Sequence, residues 1–373
     1  MFTKFLKYLS IFVLLLSISV SIYYQSTNTT YLKIRFFHQL FTWKYQFLPS
    51  NDTRNLSHEY KAFETLLRRR TIADFNETHD PLVAIQEIRK IFNLKEVIPK
   101  SSKCRVTKQQ YSSNNHVIDG YWVNWDGRER EIINSENIIL YFHGGAYMSG
   151  DIDSYSGWEC HLSQVFNCSV LHLEYRLVPE FPLPAAVDDS VALYEALLKQ
   201  DSSIHKRIIG MGDSAGGGLW LLTLQALVNK AIPVPRGVIA ISPWTDLTFS
   251  GPSYTKNKDL DAMLKYDRLS WSIEQVLGGK KLIEASKLQA NNPIFSPLFG
   301  SFDGFPPIYL TVGTGELLES DSIMVHEKAK EAQVDATLEV GEHLAHVYPI
   351  FYLYFPEARQ TIENIRQWVM NKV

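Results

Sequence analysis

Five side chains lie where apolar runs end, and their types could do chemistry together: Ser214, Glu316, Asp321, His343 and His346. Ser214 sits in Gly212-Asp213-Ser214-Ala215-Gly216, a match to G-x-S-x-G, between the apolar residues Ile208-Ile209 and a helix-forming stretch from Ala215. A serine hydroxyl attacks a carbonyl only when a base takes its proton, and the base needs a carboxylate to orient it. Glu316 follows the run 308–312, with Asp321 shortly beyond it as an alternative acid. His343 and His346 both follow the run ending at Val340, and either could be the base. The order serine, acid, histidine is the one a nucleophile elbow on a parallel sheet demands. Upstream, His143-Gly144-Gly145-Ala146 leaves the run 138–142. Its small residues can turn the N–H groups of Gly145 and Ala146 toward a developing oxyanion, and the N–H of Ala215 would join them.

The elbow alone also fits a glycine-rich turn, or a dinucleotide fingerprint through Gly210-x-Gly212-x-x-Ala215. That fingerprint normally opens the first βαβ unit and needs an acidic residue at the end of the next strand. Here the preceding strand is already the fourth or fifth, and the next one ends in Ser242-Pro243-Trp244. The nucleotide reading fails on position.

The elements that must hold these residues are strands that are apolar throughout. The runs 138–142, 169–174, 207 onward, 238–241, 308–312 and 338–340 alternate with helical stretches near 156–166 and 184–199, and a terminal helix follows. Such strands predict a mostly parallel sheet covered on both faces, an α/β fold. Residues 250–297 interrupt the rhythm with a polar, partly helical insertion. Two covering helices precede the sheet. One spans 58–72, and the other runs from Pro81 to Phe92 with Asp80 as its cap. Neither carries a chemical constellation.

At 373 residues and 45% hydrophobic, the chain has ample core for one large or two medium domains. A net charge of -3 gives no electrostatic case for nucleic acid. Three cysteines, Cys104, Cys160 and Cys168, lack metal-ligand spacing and allow at most one disulfide, whose pairing the sequence does not choose. No metal or cofactor is expected.

Residues 5–24 are almost wholly apolar, long enough to span a bilayer as a helix. A cleaved signal peptide is the rival, but no small-x-small cleavage site follows the run. A retained signal anchor with a short cytoplasmic tail is the expectation. Sequons at Asn28, Asn51, Asn55, Asn76 and Asn167 point to a secretory compartment, with Asn28 too near the membrane to be modified readily. Residues 31–48 carry Phe36, Phe37, Phe41, Trp43, Tyr45 and Phe47 among a few cations. They suit either the membrane interface or a helix packed on the globular domain.

These motifs resemble the hormone-sensitive lipase family of α/β-hydrolases, and with the anchor the layout is most similar to its arylacetamide deacetylase branch. The family's HGGG appears as His143-Gly144-Gly145-Ala146 and its GDSAGG as residues 212–217. The Y-R-L-A-P-E-x-P-x-P-A-A-x-D-D segment runs from Tyr175 to Asp189, and Ser242-Pro243-Trp244-Thr245-Asp246-Leu247 and Ser296-Pro297-Leu298-Phe299 also match. The resemblance implies Ser214 as nucleophile, His346 as base, Glu316 as acid, and Gly145, Ala146 and Ala215 as oxyanion donors. His143 and Gly144 would brace the loop. Two positions depart from the pattern. Ala146 stands for the third glycine, and Glu316 for the commoner Asp. Asp213 reads as structural.

The organisation expected is a tail and anchor over 1–24, a lumenal linker and cap helices over 25–110, and a catalytic domain over 111–373 with its cap insertion at about 250–297. The expected activity is hydrolysis of lipophilic acyl or acetyl esters in the endoplasmic reticulum lumen, on a single-pass type II membrane protein. The rival reading is a weakly catalytic ligand-binding protein on the same fold, as in the plant gibberellin receptors, which lack the triad histidine. Acyl length and oligomeric state are not legible.

Overall fold

The computed structural model describes residues 29–69, 80–91, 93–113, 116–126 and 137–373. The apolar run 5–24 and the sequons at Asn28 and Asn76 lie outside the described residues. Among the described residues, no helix is long and apolar enough to cross a membrane.

Three helices lead into the sheet: α1 (Thr29–Phe47), α2 (His58–Arg69) and α3 (Pro81–Ile91). Asp80 caps α3 as expected, its carboxylate accepting the Leu82 N–H at 2.9 Å. Then come β1 (Cys104–Ser113), β2 (His116–Trp125), β3 (Ile138–Phe142), α4 (Ile152–Phe166), β4 (Ser169–Glu174) and α5 (Ala185–Gln200). The elbow lies between β5 (Ile208–Asp213) and α6 (Ala215–Asn229), followed by β6 (Gly237–Ile241). The insertion holds α7 (Ser253–Lys256), α8 (Tyr266–Val276) and α9 (Lys280–Ser286). The chain closes with β7 (Ile308–Gly313), α10 (Glu319–Glu331), β8 (Ala336–Gly341) and α11 (Pro356–Lys372).

The strands form one eight-stranded sheet in the order β1-β2-β4-β3-β5-β6-β7-β8. From β4 to β8 every pairing is parallel, and β1 and β2 add an antiparallel hairpin at one edge. Every residue of β3, β5, β6 and β7 is buried, as their largely apolar composition requires. Alternate side chains feed two cores. Ile138, Leu140 and Phe142 face one side with residues of α5, α6 and α10, while Ile139 and Tyr141 face the other with α4 and α11. Gly210 leaves room for the Trp220 indole, which stacks on Phe142 at 4.3 Å.

Two expectations shift, and one hairpin has no counterpart in the sequence reading. The β1–β2 hairpin was not legible as strands, because polar residues such as Lys108, Gln109 and Gln110 interrupt any apolar run. Its pairing runs the full length of β1, from Cys104 to Ser113. The domain boundary at 110/111 therefore cuts a strand, and the sheet begins at Cys104. Finally, α4 starts at Ile152, earlier than the 156 expected, because Asp151 accepts the Ser154 N–H at 2.7 Å and caps it there.

Helix α1 packs on the globular domain through Tyr31, His38 and Thr42. Arg35 Nη1 donates to the Leu353 carbonyl at 2.6 Å, and His38 Nε2 meets the Glu59 carbonyl at 2.9 Å. For this face of the helix, the packed reading of residues 31–48 is the observed one.

Cys104 at the start of β1 and Cys160 within α4 form a disulfide, and Cys168 is buried. The bridge ties the edge hairpin to a helix that covers the sheet, across a sequence separation of 56. Replacing both cysteines with serine should lower unfolding stability by about 2–4 kcal/mol, read from denaturant midpoints. Wild type treated with reductant should shift alike, and the double variant should not respond to reductant.

Candidate active site

The elbow is built from what glycine lacks. Ser214 takes φ 52° and ψ −120°, a backbone conformation that L-residues rarely adopt. A Cβ on Gly212 would lie 2.6 Å from the Gly216 backbone, and one on Gly216 would collide with the Phe142 carbonyl. The turn closes against the end of β3 only because both Cβ atoms are missing. Ser214 donates its N–H to the Ile241 carbonyl at 2.8 Å, and its own carbonyl accepts from Trp244 at 2.9 Å. These two bonds hold the strained residue to the end of β6.

His346, on the loop after β8, brings Nε2 to 3.0 Å from Ser214 Oγ. Its Nδ1 lies 2.5 Å from Glu316 Oε2. Glu316 is fully buried, and its second oxygen accepts the Gly313 N–H at 2.7 Å and the Ser242 hydroxyl at 2.8 Å. Ser242 Oγ in turn accepts the Val347 N–H at 3.1 Å, tying the carboxylate's support to the residue after the histidine. Burial works against a charged His346, but the adjoining Glu316 carboxylate outweighs it and raises the imidazole above its ordinary value. With Nδ1–H donated to Glu316, Nε2 is left to accept the serine proton.

Asp321 is placed elsewhere. It accepts from the N–H groups of Thr245 and Asp246 at 2.7 and 3.0 Å and from the Tyr254 hydroxyl at 2.8 Å, fixing the turn after β6. His343 is exposed and distant in role, its N–H held by Thr314 Oγ1 at 2.7 Å. The structure thus joins Ser214, His346 and Glu316 and leaves the two alternatives outside.

The oxyanion loop lies beside the elbow. Gly145, Ala146 and Tyr147 all have positive φ, at 111°, 55° and 60°. Ala146 thus stands at the position of the third glycine with a positive φ, at a cost of about 1 kcal/mol for its Cβ. Among the described residues, the N–H groups of Gly145, Ala146 and Ala215 have no acceptor. The Gly144 N–H is not available, since it donates to Asp213 Oδ1 at 3.0 Å.

Asp213 is structural, as its place in the motif suggested. Its carboxylate takes hydroxyl hydrogen bonds from Tyr141 at 2.6 Å and Tyr155 at 3.1 Å. Burial pushes it up to about 6, against the pull of those donors. Sequence reading identified neither tyrosine and assigned no role to Ser242, although Ser242 opened a matched motif. His143 braces the loop. Its Nδ1 meets the Gly144 carbonyl at 2.7 Å, its ring stacks on Tyr175 at 4.1 Å, and the Tyr175 hydroxyl donates to its carbonyl at 2.7 Å. Burial lowers its pKa to about 4, so it is neutral.

Among the described residues, one trio, His143, His172 and Glu174, brings candidate ligand atoms within 4.8 Å of one another. The two imidazoles stack at 5.4 Å with a 9° interplanar angle, so their lone pairs run in parallel planes rather than converging. His172 Nδ1 is already held by Glu159 at 2.6 Å. This is the bonding of a brace behind the oxyanion loop.

Ser214 and His346 open into a cavity of about 870 Å³. The N-terminal helices and the insertion wall it together: Ile34 from α1, Phe63 and Leu67 from α2, Ile88 from α3, and Leu269 and Trp271 from α8. The expected cap is therefore assembled from both segments.

Known proteins resemble this chain in sequence and fold. A curated acetyl-hydrolase of Streptomyces hygroscopicus is 36% identical over 225 residues, covering 60% of this chain and 72% of its own. An esterase of Acinetobacter venetianus is 34% identical over 231 residues, covering 62% and 74%. Among solved structures, an esterase of the bacterial hormone-sensitive lipase family superposes with a TM-score of 0.74 at 29% identity, over 86% of this chain and 99% of that one. An esterase/lipase from an uncultured bacterium gives 0.72 at 30% identity, over 84% and 98%. The family profile described as alpha/beta hydrolase fold matches residues 139–350, from β3 through the loop that carries His346, and the chain belongs to that family.

Proposed function

We propose that the chain hydrolyses lipophilic carboxylic esters through an acyl-enzyme on Ser214. Carboxylic ester hydrolysis itself is the activity its relatives share, since they are esterases and acetyl-hydrolases. The observation that carries the residue-level mechanism is the Ser214 Oγ to His346 Nε2 contact of 3.0 Å, with Glu316 at 2.5 Å behind the imidazole.

His346 takes the Ser214 proton as the oxygen attacks the ester carbonyl. The N–H groups of Gly145, Ala146 and Ala215 receive the negative charge of the tetrahedral intermediate. His346 then protonates the leaving alcohol, and a water molecule repeats the sequence on the acyl-enzyme. Glu316 fixes the tautomer and stabilises the imidazolium. The intact serine and histidine argue against a purely ligand-binding role. The apolar cavity wall favours uncharged acyl and alcohol groups.

Our reading of the rest of the chain is an enzyme of the arylacetamide deacetylase type, held by residues 5–24 as a signal anchor, with residues 25–110 as linker and cap. The catalytic domain would then face the lumen of the endoplasmic reticulum. Two features support an oxidising, glycosylating compartment: the Cys104–Cys160 disulfide and the exposed asparagines of the sequons at Asn51 and Asn55. If this is the topology, endoglycosidase should increase the mobility of the cell-expressed protein, and alkaline carbonate should leave it in the membrane pellet. A protein insensitive to endoglycosidase and released by carbonate would overturn it.

On a p-nitrophenyl ester series, Ser214→Ala should lose about a thousandfold or more of kcat. Undiminished turnover in that variant would refute the nucleophile. A preference for charged, water-soluble esters over short-chain esters of apolar alcohols would refute the substrate class.

The two acids separate cleanly. Glu316→Gln should cost kcat about a thousandfold or more, whereas Asp321→Asn should leave kcat within about threefold and lower stability by about 2 kcal/mol. Catalysis needs neutral His346, so kcat/KM falls as pH drops through its pKa. Glu316 raises that value, placing the acid limb above the ordinary histidine value of about 6.5. The residual activity of Glu316→Gln should show its limb at lower pH, and an unmoved limb would mean that Glu316 does not face the base.

A further inference from the structure

Helix α1 has two faces of opposite fate. Tyr31, His38 and Thr42 are buried against the protein. On the other side Lys33, Phe37, Leu40, Lys44 and Phe47 are all exposed. Their intervals of four, three, four and three residues put them in one stripe at 100° per residue, within about 80° of arc. Phe37 is 46% exposed, Leu40 37% and Phe47 70%, and Leu48 just past the helix is 59% exposed. Large apolar side chains aligned along one outward face are not the scattered exposure expected of a solvated helix.

The charges point the same way. The helix sequence contains Lys33, Arg35 and Lys44 and no acidic residue. Two lysines lie in the stripe itself, interleaved with the apolar side chains, where their ammonium groups can reach phosphate while their stems lie along acyl chains. The same helix lends Thr30 and Ile34 to the cavity that contains Ser214. Helix α3 also borders that cavity, through Ala84 and Ile88, and exposes Leu82 and Val83. In sequence, the apolar run 5–24 ends just before α1 begins at Thr29.

We propose that α1 lies on a phospholipid bilayer, with the Lys33–Phe37–Leu40–Lys44–Phe47 face set in the boundary between headgroups and acyl chains. The cavity mouth is thereby held at the lipid surface, and esters dissolved in the bilayer reach Ser214 without crossing water. The substrate half of this proposal rests on the ester-hydrolase reading. The docking half does not.

The test uses the full chain reconstituted in vesicles of phosphatidylcholine with phosphatidylserine. Leu40→Cys offers a single labelling site, because Cys104 and Cys160 are paired and Cys168 is buried. An environment-sensitive fluorophore there should shift to the blue and be quenched by lipids brominated near the headgroup end of the acyl chain. A water-like spectrum would overturn the proposal. Shielding without quenching by bromolipid would overturn it too, by showing that a protein surface covers the face. The variant Phe37→Ser/Leu40→Ser/Phe47→Ser should hydrolyse a bilayer-dissolved ester about tenfold more slowly yet keep its rate on soluble p-nitrophenyl butyrate within about twofold. Equal loss on both substrates, or loss on neither, would refute the access role. Absence of soluble esterase activity in wild type would instead refute the ester-hydrolase reading and leave the fluorescence result standing.

Discussion

A carboxylate buried without solvent must be surrounded by donors, and Glu316 sets the terms on which this sheet is assembled. An isolated buried carboxylate would cost many kcal/mol or take up a proton. Here Gly313, Ser242 and His346 each donate to it. Those three donors come from the ends of β7 and β6 and from the loop after β8, three neighbouring strands of the sheet. The ladder that pairs β6 with β7 and β7 with β8 is therefore also what keeps Glu316 hydrogen-bonded and His346 oriented. The preference of open α/β sheets for sites at strand carboxyl ends has a concrete cause here. That is where three chain segments emerge side by side with unpaired donors.

A second buried acid does the same work on the other side of the serine. Asp213 takes hydrogen bonds from Tyr141 on β3, Tyr155 on α4 and the Gly144 N–H of the oxyanion loop. The Trp158 indole extends the network by donating to the Tyr141 hydroxyl at 2.9 Å. The residue before the nucleophile thus fixes the loop that is to receive the oxyanion. By occupying the Gly144 N–H, it also leaves the N–H groups of Gly145 and Ala146 as the ones without a partner. The distance between nucleophile and oxyanion loop is set by a carboxylate that touches both, rather than by either loop alone.

Much of this was legible because the relevant physics is local. G-x-S-x-G encodes a turn whose glycines answer contacts a few residues away or on the adjacent strand end, and apolar runs encode strands buried on both faces. Glu316 and His346 could be placed because each follows such a run. Ser242, Tyr141 and Tyr155 were not legible as supports, since a serine or tyrosine at a strand end has no local signature of what it will meet across the sheet. Asp321 shows the converse. It lies in the right stretch and is fully buried, yet it turns toward Thr245 and Asp246, and only tertiary geometry separates it from Glu316. The β1–β2 hairpin was missed for a related reason. An edge strand needs only intermittent apolar residues, so its pattern falls below that of the central strands.

Reaction and substrate are written in different parts of this chain. Ser214, His346, Glu316 and the loop at Gly145 and Ala146, to which we assign the catalysis, all fall within residues 139–350, where the family profile matches. Much of the cavity wall does not. Ile34, Phe63, Leu67 and Ile88 come from helices that precede that span, and they line the cavity together with Leu269 and Trp271 of the insertion. Catalytic geometry tolerates little displacement, so it is carried by motifs of fixed spacing. An apolar wall tolerates any side chains of suitable volume, so it leaves no motif to read. The same freedom allows the wall to be built from a helix whose outer face is itself apolar and cationic. In this fold, what the enzyme does is fixed by a few strand ends, and what reaches it is governed by the helices laid over them.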